Sequence, residues 1–116
     1  MWYLPNDVSK AVITAGEQIN SAHHACHLHL PDTAIVFFMS KGTDYLVEHY
    51  DAKEMEEPFP RFLNRCPIWK IKDLRLCFLD GGRGAPQAVD TVETLAALGV
   101  KNIIAIGMCG AYDEKV

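Results

Sequence analysis

No apolar run in this sequence approaches the length needed to cross a bilayer. There is no surplus of basic residues either. Lys and Arg number 11 against 15 Asp and Glu, a net charge of -4, which argues against nucleic acid as a partner. No charged leader followed by an apolar segment and a small-residue cleavage site opens the chain, so the expected location is the cytoplasm, without membrane contact. The four cysteines, Cys26, Cys66, Cys77 and Cys109, form no C-x-x-C pair, which removes the common zinc and redox signatures. Repeats and low-complexity tracts are absent. Disorder is excluded by a 49% hydrophobic and 22% charged composition. The 116 residues suit one small domain, short for a full α/β enzyme.

What is present centres on Leu76 to Tyr112. Leu76-Cys77-Phe78-Leu79 reads as a strand buried on both faces. Asp80-Gly81-Gly82-Arg83-Gly84-Ala85-Pro86 follows, a corner whose glycines permit sharp turning and close approach of another molecule. Pro86 suits the first turn of a helix to Leu98. Ala85, Ala88, Val89, Val92, Leu95 and Ala96 form its expected apolar stripe, with Gln87, Asp90, Thr91, Glu93 and Thr94 on the polar side. Gly99 is placed to end the helix. Ile103 to Ile106 reads as a second strand, running into Gly107-Met108-Cys109-Gly110. A crossover of this length predicts parallel strands, with both glycine corners beyond strand carboxyl ends, where open α/β sheets bind ligands. Cys77 and Cys109 are expected to be small buried thiols.

Upstream, Asn6 or Asp7 could cap a helix through Val8, Ala11, Val12, Ala15 and Ile19. Ala22 to His29 carries four histidines and Cys26. His23 and His27 stand one helical turn apart, but no second ligand set accompanies them, so a histidine-rich linker and no metal is expected. Thr33 to Met39 is a buried strand, Ser40 to Asp44 a polar turn, and Tyr45 to Tyr50 a helix capped by Thr43 or Asp44. The turn offers Lys41 and a helix N-terminus, a weak anion seat. Asp51 to Pro60 reads as a solvated acidic connector, and Ile68 to Leu79 as a β-hairpin.

From Asp80-Gly81-Gly82-Arg83-Gly84-Ala85-Pro86 through Gly99-Val100-Lys101-Asn102-Ile103-Ile104 to Gly107-Met108-Cys109-Gly110-Ala111, the chain resembles the nucleoside phosphorylase superfamily. That group pairs G-x-G-x-P-[SA] and a helix with L-G-V-K-x-I-I and a strand ending in G-[ST]-[CA]-G. The resemblance spans roughly residues 33–112, far more than a lone glycine motif. It implies an α/β fold: a three-layer α/β/α arrangement around a mixed, mostly parallel sheet. Residues 1–116 would be the truncated, N-terminal part of one such domain, with 1–30 a helical or irregular lead-in. It also implies cleavage of a nucleoside's N-glycosidic bond by phosphate, or by water in the nucleosidases, through an oxocarbenium-like transition state. The phosphate-binding positions would be Ser40, Lys41, Gly42, Gly82, Arg83 and Gly84. Arg61, or Arg65 as the alternative, would match an arginine lent by a neighbouring subunit. Met108, Cys109 and Gly110 would lie beside the nucleoside. No cofactor is implied beyond phosphate as co-substrate, and catalytic residues are expected from a later segment.

Two departures accompany the resemblance. Family phosphorylases carry an arginine two residues before the Gly107 equivalent and a hydroxyl residue after it, both binding phosphate. Here these are Ala105 and Met108, which removes the best anion donors. Water as attacking group, or a module that binds nucleoside without chemistry, is therefore an alternative. A dinucleotide-binding loop is disfavoured because Gly82-Arg83-Gly84-Ala85-Pro86-Gln87 lacks the third glycine. The implied partners are nucleoside and phosphate. A strand at an open sheet edge further predicts a homo-oligomer or a complementing C-terminal chain.

Overall fold

A computed structural model describes residues 8–21, 26–110 and 113–115. The elements are α1 (Ala15–Ile19), β1 (Thr33–Phe38), α2 (Gly42–His49), β2 (Ala52–Glu54), β3 (Ile68–Ile71), a 3-10 turn (Lys72–Leu74), β4 (Leu76–Asp80), α3 (Gly84–Ala97) and β5 (Asn102–Gly107). The five strands form one sheet in the order β2-β3-β4-β1-β5. β1 pairs in parallel with both β4 and β5, while β2-β3 and β3-β4 are antiparallel. The protein is thus an α/β domain with a mixed sheet, and β4 and β5 run in the same direction. No helix of the described residues is long and apolar enough to cross a membrane.

Alternation along the strands divides the core in two. Ala34, Val36, Ile68, Cys77 and Leu79 face one side with Phe59, Leu95 and Val100. Phe37, Ile71 and Phe78 face the other, where Trp69 stacks on Phe78 at 5.7 Å. The apolar strand runs are continuous because β1 and β4 are covered on both faces. β5 is an edge, and its Ile104 and Ile106 are exposed. The principal-axis extents are 50 × 49 × 22 Å.

Several expectations need correction. The first helix is only Ala15–Ile19, because Thr14 caps it with a reciprocal capping box to Glu17. Residues 8–13 are exposed and non-helical, and the Asn6 or Asp7 cap and His23 of the His23–His27 pair lie outside the described residues. α2 starts at Gly42, with left-handed Lys41 (φ 62°) at its N-cap instead of Thr43 or Asp44. The Asp51–Pro60 stretch is a solvated connector only in part: Asp51, Lys53, Glu54, Glu56 and Pro58 are exposed. It contains β2, and Phe59 and Pro60 are buried, with Phe59 bridging Cys66. The hairpin from Ile68 is present, turned by the 3-10 segment and left-handed Arg75.

The largest correction concerns the facing of α3. It buries Thr91, Thr94 and Leu95, with Ala88 half-buried, and leaves Ala85, Val89, Val92 and Ala96 exposed. The expected apolar arc was wide enough to hold two sub-stripes. The core takes the one that also brings Thr91 to the Gly81 carbonyl.

Candidate functional site

Register sets the site. Phe37 lies opposite Asp80, and Phe38 opposite Gly107. The carboxyl ends of β4, β1 and β5 therefore finish level at one end of the sheet. The corners they lead into are Gly81–Gly84, Met39–Gly42 and Gly107–Gly110. Residues 81 and 107 flank Phe38, two strand spacings apart, about 10 Å. The Phe38 ring lies so close to Gly81 that a Cβ there would collide with it and with Val36. At Gly107 an added Cβ would stand 3.6 Å from Phe38 Cβ. Gly42 abuts the Phe37 ring in the same way.

The Asp80–Gly84 corner is closed by its own side chains. The Gly82 N–H donates to Asp80 Oδ1 at 2.7 Å and the Arg83 N–H to Gln87 Oε1 at 2.6 Å. Arg83 pairs with Asp80 through Nη1 at 3.2 Å and also donates to the Gly82 carbonyl. Two backbone donors of the expected phosphate loop are thus already taken, and its cation is balanced by Asp80. Gly82 (φ 83°) makes this turn possible without strain.

Behind the corner stands a buried polar network. Arg61, only 3% exposed, donates from Nε to the Asn64 carbonyl, and from Nη1 to the Asp80 carbonyl and Thr91 Oγ1. Thr91 Oγ1 lies 3.1 Å from the Gly81 carbonyl and 2.8 Å from the Gln87 carbonyl. Arg61 is therefore turned into its own chain, tying the 59–66 loop to the end of β4 and to α3. Arg65 is exposed. Thr91 stands on the polar side of the helix that periodicity predicts, and the fold turns it inward. Its signal in sequence is faint: a threonine that can bond the carbonyl four residues back.

The Ser40–Gly42 turn differs. No side chain caps α2, so its first-turn N–H groups have no side-chain acceptor, and Ser40 and Lys41 are exposed. Beside it lies a cavity of about 430 Å³ lined by Ile35, Phe37, Met39, Tyr45, Leu46 and Ile106, with Lys41 and Gly42 at its rim. The walls are apolar and Lys41 is the one charge, a combination suited to a small amphipathic ligand.

At the third corner, Met108 is 77% exposed, and Cys109 and Gly110 are exposed too. The expectation of a buried Cys109 thiol is corrected: β5 is an edge strand, and among the described residues nothing covers its end. Cys77 is buried as expected, and burial pushes the thiols of Cys77 and Cys66 up to about 11. Among the described residues no three His, Cys, Asp or Glu side chains converge as a metal site. The structure thus brings the Ser40–Gly42, Gly82–Gly84 and Met108–Gly110 segments to one end of the sheet, and sets Arg61 beneath the second of them. Comparison with protein families, curated proteins and solved structures returns no match for this chain.

Proposed function

We propose that these three corners form part of a nucleoside phosphorylase-like site, in a three-layer α/β/α domain whose sheet is extended beyond β5 by a further segment or a second copy. The observation that carries the proposal is the level register of Asp80, Phe37–Phe38 and Gly107 across three parallel strands. In this reading the anion sits at Ser40, Lys41 and Gly42, at the uncapped start of α2, where backbone N–H groups and one cation favour it. Gly82 to Gly84 and Arg83 form the adjoining wall. Met108, Cys109 and Gly110 border the nucleoside, and the cavity beside Lys41 has volume for a base or a pentose. In this reading the three corners bind, and acid–base groups for the leaving base are not among their residues.

A second reading is favoured by specific observations. Asp80 and Gln87 already accept from Gly82 and Arg83, and Ala105 and Met108 supply no phosphate donors. A hydrolytic or non-catalytic nucleoside binder needs no tight anion seat. Calorimetry with phosphate, ribose 1-phosphate and nucleosides, followed by a free-base assay with purine and uracil nucleosides, separates the readings. Ribose 1-phosphate as product supports phosphorolysis, free ribose supports hydrolysis, and binding without turnover supports the module. No binding of nucleoside or phosphate to the chain, alone or with a complementing segment, defeats the proposal. Lys41→Gln is expected to weaken phosphate binding by about tenfold.

A further inference from the structure

The amino ends of the parallel strands lie at the opposite end of the sheet from the glycine corners. There the chain entering β1 (His29 to Pro31), the end of β3 and the turn into β4 enclose a cleft of about 380 Å³. Among the described residues its charged and titratable lining is Lys70, Lys72, Arg75 and His29, with no carboxylate. In a chain of net charge -4 this is a local excess of one sign. Among the described residues, no ion pair or side-chain hydrogen bond engages Lys70, Lys72 or Arg75. The nearby acids are Asp32, which follows Pro31 and pairs with Lys101 at 3.1 Å, Asp73, on the 3-10 turn itself, and Glu54, Glu56 and Glu57, which line a neighbouring cavity that shares His29 and Lys70.

Two further observations set this cluster apart from scattered surface lysines. Lys70 lies directly opposite Lys53 in the β2-β3 register, a like-charge cross-strand pair that disfavours the hairpin. Arg75 is held left-handed at φ 50°, ψ 42°, where glycine or asparagine would sit without strain. Both features cost the free chain stability, and an anion bound among these cations offsets the first.

We propose that this cleft is a binding site for a small soluble anion of two or more phosphoryl-type charges, such as a diphosphate or a bisphosphorylated sugar. The volume accommodates a compact metabolite. Three cations from two adjoining elements supply charge-assisted hydrogen bonds of the kind that hold phosphoryl oxygens. Its position makes it independent of whatever the glycine corners bind.

The test is an NMR titration of the full chain with pyrophosphate at physiological ionic strength, with sulfate and anionic vesicles as parallel arms. The expected result is saturable shifts of the amides of His29, Lys72, Arg75 and Leu76. The triple variant K70Q/K72Q/R75Q should bind about tenfold more weakly or worse, while K41Q binds pyrophosphate here as the parent does. Arg75→Gly relaxes the left-handed turn, so it should unfold at higher temperature and yet bind less. Non-saturable shifts, equal response to sulfate, binding to vesicles alone, an unaffected triple variant, or shifts confined to residues 40–42 would each overturn the proposal.

Discussion

At the residue scale, the glycine corner is fixed by contacts that leave no room for change. Gly81→Ala sets a methyl against the Phe38 ring and Val36. It should cost about 1–3 kcal/mol in urea unfolding, and Phe38→Leu in the same chain should return part of the loss. Thr91→Val keeps the shape but removes the hydroxyl that accepts from Arg61. A loss of about 1–3 kcal/mol is expected from the unsatisfied donor, while the half-buried Thr43 changed to Val should cost less. The thiols give a pH signature. In the folded chain Cys66 and Cys77 ionise near pH 11, against an ordinary value of 9.0. Their raised values mean that stability is fully present below pH 9 and declines as pH rises toward about 11. Urea midpoints measured below and within that window should fall, and Cys77→Ala should flatten the fall. In the folded protein exposed Cys109 should react with a thiol reagent well before either buried cysteine.

At the scale of elements, α3 shows how a helix can be recognised and its facing still be misjudged. Its limits follow from Pro86 and from Gly99, which is left-handed at φ 91°. Its rotation does not, because Ala85, Val89, Val92 and Ala96 compete with Ala88, Thr91, Leu95 and Leu98 for the core. The second set wins because Arg61 and the Gly81 carbonyl need Thr91. Val92→Lys should therefore change stability by no more than about 0.5 kcal/mol, whereas Leu95→Ala, fully buried, should cost about 2–5 kcal/mol. A loss of several kcal/mol at Val92→Lys, measured by denaturation, would restore the facing expected from periodicity, since both facings bury Leu95. α1 is a second case. Its five residues depend on the Thr14–Glu17 box, which holds the Glu17 carboxyl below its usual value. That contribution is present above pH 4.5 and lost as pH falls through the lowered value, so α1 should fray in acid.

For the whole molecule, the sheet is unevenly finished. β1 and β4 are paired on both edges, but among the described residues β5 presents a free backbone edge, and Asn102-Ile103-Ile104-Ala105-Ile106-Gly107 carries no charge or proline to discourage pairing. The expected consequence is association that grows with concentration in sedimentation experiments, and its reduction by Ile104→Lys. An unchanged sedimentation profile in both chains would show that the edge does not pair in solution. The shortest extent, 22 Å, fits a sheet whose second face α2 covers only in part.

Local residue pattern is enough to place the strands β1, β4 and β5, the helix α3 and the glycine corners, because apolar runs, proline and glycine act over a few neighbouring residues. Long-range packing is what buries Arg61, turns Thr91 inward, brings Phe59 and Pro60 into the core and sets Lys70 against Lys53. Each of these depends on segments far apart in the chain being brought together, and local pattern carries no record of which distant partner will satisfy a polar group. The same reason explains why the candidate site residues could be named from motifs, while their surroundings could not: the motif fixes the turn, and the sheet register fixes what stands beside it.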